Sequence, residues 1–116
     1  MQANELKDLV LQALDDLKGQ KIVALDVERQ TGLVNYMVVA TGTSNRHVKA
    51  LANTVVVESK KVGVQPLGVE GEPGSEWVLV DLGDIVVHLM LAETRAFYDI
   101  ERLWSEGKII APPVTR

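Results

Sequence analysis

The stretch that most constrains the fold is WVLVDLGDIVVHLM, from Trp77 to Met90. Two short aliphatic runs flank Leu82-Gly83, and a two-residue link containing Gly is the usual short connection between antiparallel strands. With Asp81 opposite Asp84, Val80 pairs with Ile85, Val78 with Val87 and Trp77 with His88. Side chains alternate faces along a strand. One face then carries Val78, Val80, Ile85, Val87 and Leu89, all aliphatic and suited to a cover of helices. The other carries Trp77, Leu79, Asp81, Asp84, Val86, His88 and Met90. This mixed face is either covered from within the chain or shown to a partner, and the functional reading turns on which.

The remaining elements follow from periodicity. Leu6, Leu9, Val10, Ala13, Leu14 and Leu17 form an apolar stripe at helical spacing over residues 4–18, with Asn4 as a cap and Gly19 as a stop. Residues 21–28 (KIVALDVE) read as a strand, RQTGLVN as a turn or wide loop, and YMVVAT as a second strand pairing with the first. Gly42-Thr43-Ser44 leads into a helix to about Val62, with Val48, Leu51, Ala52, Val55 and Val62 on one face. A short edge strand at Gln65 to Val69 and an acidic loop, Glu70 to Glu76, precede the central hairpin. Ala92, Ala96, Phe97, Ile100, Leu103 and Trp104 then predict one helix ending before Gly107. The order is helix, strand, strand, helix, strand, strand, strand, helix. It gives a single small α/β domain over residues 1–107, with a mixed sheet of about five strands and helices packed on it. Residues 108–116, with Pro112-Pro113, read as an extended or flexible tail.

Composition narrows the chemistry. The 116 residues carry a net charge of -4, which argues against direct, sequence-independent nucleic-acid binding and leaves a basic protein partner open. Cysteine is absent, so disulfides and thiolate metal sites are excluded. The N-terminus is polar, without the apolar core of a signal peptide, and no apolar run nears the roughly 18 residues of a membrane span; the expected compartment is the cytoplasm. His47 and His88 sit in no ligand pattern, and Ser44, His88 and Asp84 make a triad only on paper, without a GxSxG elbow. The Gly42-to-Arg46 junction has one Gly and lacks P-loop spacing, so a plain helix start is the simpler reading. Trp, Met and aliphatic residues beside two carboxylates suit an interface with an aromatic anchor and charged specificity groups. A binding module therefore ranks ahead of an enzyme.

Several stretches together carry a family resemblance: KIVALDV, YMVVATGTSNRHVKAL, Glu70-Gly71, and WVLVDLGDIVVHLM followed by ETRAFYDIERLW. The last two hold W-x-L-x-D-x-G-D-x-V-x-H and R-x-x-Y-x-x-E-x-L-W. In these the chain resembles the ribosomal silencing factors (RsfS), the Iojap-related family. The resemblance implies a nucleotidyltransferase-like fold without that activity. Gly42-Thr43-Ser44 resembles the glycine–serine turn of such folds, but the metal-holding carboxylates expected after it are missing. It further implies binding to the large ribosomal subunit through ribosomal protein uL14, obstruction of the small subunit, and repression of translation under nutrient limitation. Members are often homodimers. Carried onto this chain, Trp77 and Leu79 become apolar anchors, and Glu70, Asp81 and Asp84 meet basic groups. His88 and Met90 extend the patch, and Arg95 and Tyr98 rim it. No catalytic residue, cofactor or metal is expected. Two alternatives stand beside this reading: a nucleotide-binding remnant at Gly42 to Arg46, and an oligomerisation scaffold burying the mixed face.

Overall fold

The computed structural model describes residues 1–71, 74–104 and 108–114, the last segment by its backbone. Its elements are α1 (Ala3–Asp16), β1 (Gln20–Asp26), α2 (Glu28–Thr31), β2 (Tyr36–Gly42), α3 (Asn45–Lys61), β3 (Gly68–Glu70), β4 (Trp77–Asp81), β5 (Ile85–Leu91), α4 (Ala92–Tyr98), α5 (Ile100–Leu103) and β6 (Lys108–Val114). The strands form one sheet in the order β3-β4-β5-β2-β1-β6. β2 and β5 run parallel, a pairing that needs a crossover, which α3 supplies. The other neighbours are antiparallel. Among the described residues no helix is long and apolar enough to cross a membrane.

One face of the sheet is covered by α1 and α3. Leu6, Val10 and Leu14, with Val48, Leu51 and Val55, pack onto Ile22, Ala24, Val38, Ala40, Val80, Ile85, Val87 and Leu89. Each Val, Leu or Ile among these contributes about 1.5–3 kcal/mol when fully buried. The aliphatic face read from the sequence is this one. A second, smaller cluster on the opposite face joins Val23, Leu25, Val27, Met37, Val39 and Met90 to Ile100, with Trp77 and Trp104 at its margin. β2 is buried along nearly its whole length because both of its faces are covered.

The register of the central hairpin differs from the expected one by two residues. Asp81 lies opposite Val86, Val80 opposite Val87, Val78 opposite Leu89 and Trp77 opposite Met90. The connection between the strands is three residues, Leu82 to Asp84, rather than two. The Leu82 N–H donates to the Ile85 C=O at 2.8 Å. The Asp81 carboxylate accepts the Gly83 N–H at 2.9 Å, and Gly83 turns with φ 90°, a conformation that favours glycine. A two-residue slip preserves the side-chain alternation, so the residues within the two strands keep their expected faces.

Three other elements depart from expectation. RQTGLVN is not all loop: its start falls in the one-turn helix α2, which Gly32 ends. The single C-terminal helix is broken at Asp99, whose φ of 47° separates α4 from α5. Asp tolerates this left-handed conformation better than most residues. The break turns the expected stripe apart: Ile100 is buried while Phe97 and Leu103 are 81% and 78% exposed. Gly107, the expected stop, lies outside the described residues, as do Glu72 and Pro73 of the acidic loop. Finally, residues 108–114, expected outside the domain as a tail, run extended as β6 and add a sixth strand beside β1. The register breaks between the pairs Ala24↔Ala111 and Ile22↔Val114, which spans the two prolines. Proline lacks a ladder donor and is tolerated at a sheet edge or a bulge.

α3 begins where Ser44 accepts the His47 N–H at 3.1 Å. His47 then latches two helices: its Nδ1 accepts the Thr43 N–H at 2.9 Å, and its Nε2 meets the Leu17 C=O at 2.8 Å. Gly42 sits beneath this start. A Cβ there would lie 2.8 Å from Val48 Cγ2 and 2.9 Å from Val48 N. Gly42→Ala should therefore push α3 off the end of β2 and cost about 1–3 kcal/mol of stability, read as a lowered urea midpoint at unchanged slope.

Candidate functional site

Residues paired across strands share a face, so the sheet register lays out the second face in rows. One row runs Glu70, Leu79, His88, Val39, Val23; another runs Gly68, Asp81, Val86, Met37, Leu25; a third holds Trp77, Met90 and Thr41. The β1–β2 ends of these rows form the second cluster with Ile100. The β3–β4 ends stay open. Leu79, Asp81 and Val86 are half-buried and Glu70 is exposed. The face is thus mixed by position: dry where α5 lies, and accessible toward β3.

Trp77 sits at the boundary between the two. Its indole Nε1–H donates to His88 Nδ1 at 3.0 Å, a diagonal contact across the β4–β5 ladder. The Trp77 and His88 rings are 5.7 Å apart, and Tyr98 packs on Trp77 at 5.0 Å. Phe97 meets Tyr98 edge-on, also at 5.0 Å. Distances and tilts of this kind are those of favourable aromatic pairs. The line His88, Trp77, Tyr98, Phe97 therefore passes from interior to surface, from 9% exposure at His88 to 81% at Phe97.

Three of the expected docking residues lie off the open strip. Met90 is fully buried, because its place opposite Trp77 lies within the second cluster. His88 is buried too, and reaches the surface only through the indole it holds. Arg95 is a clamp rather than a rim residue. Its Nε and Nη2 donate to the two carboxylate oxygens of Glu101 at 2.7 and 3.0 Å. Its Nη1 donates to the Lys21 C=O at 2.7 Å and to Thr41 Oγ1 at 2.9 Å. The R-x-x-Y-x-x-E spacing is explained by this arrangement: Arg95 and Glu101 pair across the break at Asp99, and Tyr98 turns onto Trp77. Glu70, Trp77, Leu79 and Asp81 are brought together on the open strip, with Tyr98 beside Trp77. Asp84 is exposed in the β4–β5 connection and not opposite Asp81; its C=O accepts the Asn35 and Tyr36 N–H groups at 2.8 and 3.2 Å. Phe97 and Val86 were not singled out by sequence reasoning. Helical spacing assigned Phe97 to the core, and only the break at Asp99 exposes it.

The electrostatics of the site centre on His88. An indole N–H only donates, so His88 Nδ1 accepts and the neutral ring carries its proton on Nε2. Burial lowers the His88 pKa from 6.5 to about 4. Between those values the unfolded chain binds the proton more tightly. The stabilisation is therefore complete above pH 6.5 and lost as pH falls toward 4. From pH 7.5 to 5.5 the protein should lose about 1 kcal/mol that a His88→Asn variant does not lose, measured by urea unfolding of both at each pH.

Known proteins share this fold. A family model described as "Ribosomal silencing factor during starvation" matches residues 1–115. The ribosomal silencing factor RsfS of Chromobacterium violaceum is 52% identical over 108 residues, covering 93% of this chain and 88% of that protein. The RsfS of Bacillus subtilis is 32% identical, covering 94% and 92%. A mouse protein named "Mitochondrial assembly of ribosomal large subunit protein 1" is 32% identical over 84% of this chain and 44% of its own length. A crystal structure of a Chromobacterium violaceum protein superposes with a TM-score of 0.89 at 50% identity, covering 98% of this chain and 94% of that one. With a matched model spanning residues 1–115 and a relative 52% identical over 93% of this chain, the chain belongs to the ribosomal silencing factor family.

Proposed function

We propose that this chain docks on the large ribosomal subunit through ribosomal protein uL14 and, by occupying that site, keeps the small subunit from joining. Translation is thereby repressed when nutrients are limiting. The observation that carries the reading is the open strip of the second face, with the half-buried Trp77 and Leu79 flanked by Glu70 and Asp81 and extended by Tyr98 and Phe97. Tryptophan and tyrosine are enriched among binding hot spots, and here a half-buried tryptophan has carboxylates on the same strip. Ribosomal proteins are basic, and this chain has a net charge of -4, so encounter is favoured by charge. The mouse relative's printed name refers to the large subunit, in line with the same partner. The mechanism is occlusion and asks for no catalytic group, metal or cofactor. It is set in the cytoplasm.

A homodimer is part of the same proposal. The exposed Phe97 and Leu103 give a second copy apolar surface to cover, and a dimer that buried Trp77 would have to separate before docking.

Two outcomes are expected. Trp77→Ala, folded by circular dichroism, should lose at least about 2 kcal/mol of affinity in co-sedimentation with purified large subunits; equal affinity removes Trp77 from the interface. Glu70→Lys should mainly slow association, with a deficit that shrinks as salt rises, followed by stopped-flow mixing with large subunits at low and high ionic strength.

A further inference from the structure

The interior partner of Trp77 carries a role that exposure alone does not reveal. The indole has one hydrogen-bond donor, and that donor is engaged by His88 Nδ1 at 3.0 Å. On another side the indole meets the Tyr98 ring at 5.0 Å. Its chain neighbours fix the backbone: the Trp77 N–H donates to Ser75 Oγ at 3.2 Å, and Ser75 Oγ donates to the Trp77 C=O at 2.9 Å. A half-exposed tryptophan without an acceptor beneath it would sample several rotamers, and docking would have to select one of them. An acceptor placed at one point under the ring removes that search before the partner arrives. Preorganisation of this kind raises affinity without adding a contact.

We propose that His88 is a positioning residue for docking: it does not touch the partner, and its Nδ1 holds the Trp77 indole in the orientation the partner binds. The proposal rests on the reading of Trp77 as the docking anchor. His88 is suited to the task because burial keeps it neutral, so that Nδ1 remains an acceptor. Leu79 and Val39 flank it in its own row of the sheet, and these offer the indole no competing acceptor from their side chains.

The test uses the full chain and purified large ribosomal subunits. His88→Leu removes the acceptor, and His88→Asn restores an acceptor close to the position of Nδ1. Should His88→Leu not fold, His88→Phe, which keeps a ring without an acceptor, takes its place. The Trp77 indole N–H resonance, told apart from that of Trp104 by Trp104→Phe, reports the orientation in the free protein. The expected result is a displaced indole resonance and about tenfold weaker binding in His88→Leu, with both restored in His88→Asn. Wild-type affinity in His88→Leu overturns the proposal. So does equal weakening in His88→Leu and His88→Asn, which would mean that the imidazole's bulk matters and its acceptor does not. If the wild-type chain fails to sediment with large subunits, the ribosomal reading falls and the docking role of His88 falls with it. The indole resonance then still shows whether His88 orients Trp77.

Discussion

The second face of the sheet depends on one guanidinium. Arg95 joins α4, on which it sits, to α5 through Glu101, to β1 through the Lys21 carbonyl and to β2 through Thr41. The paired side chains are largely withdrawn from water, at 10% exposure for Arg95 and 31% for Glu101. A bidentate, charge-assisted pair in that setting is strong and directional. β1 meets it with an irregular register between Gln20 and Val23 and a φ of 47° at Lys21, a bulge of the sort that re-aims a backbone group. With this clamp in place, Ile100 is seated on Met37, Val39 and Met90, and the boundary between covered and open sheet is fixed.

Size then explains why the boundary falls where it does. α4 has 7 residues and α5 has 4, so neither reaches much beyond about 10 Å at 1.5 Å per residue. Six strands spaced about 4.8 Å apart extend roughly 24 Å across. Helices this short cover a portion of one face and no more. On the opposite face, α1 and α3 have 14 and 17 residues and cover what the short pair cannot. A face with one dry half and one accessible half is thus a consequence of element lengths, and Trp77 stands at the line between them.

Much of this was legible in the chain because alternation and helical spacing report which side of an element is apolar. The faces of the hairpin survived a wrong register, since a shift of two residues leaves parity intact. What the sequence concealed was of another kind. The link between the central strands takes three residues rather than two, and the Asp81 carboxylate accepts the Gly83 N–H within it. Asp99 interrupts a helix that spacing alone continues. Arg95 has partners at Lys21 and Thr41, far away in sequence, so no local pattern announces them. The tail is extended, as one of its two readings had it, but no local pattern announces its partner strand β1, and its two prolines occupy a sheet edge. Alternation gives the face of the sheet on which Met90 and His88 lie but not how much of that face is covered, and both lie in its covered part.

The edges of the sheet bear on a separate matter. A protein that leaves Trp77, Tyr98, Phe97 and Leu103 accessible to water is at risk of sticking to its own kind. Sheet edges commonly start such polymerisation, because unpaired backbone groups invite another strand. Here one edge is β3, only 3 residues long, and the other is β6, in which Pro112 and Pro113 have no N–H to offer. Neither edge can template a long ladder. The chain can therefore keep an adhesive aromatic surface in a crowded cell, with edges that give self-contact little backbone by which to spread into fibres.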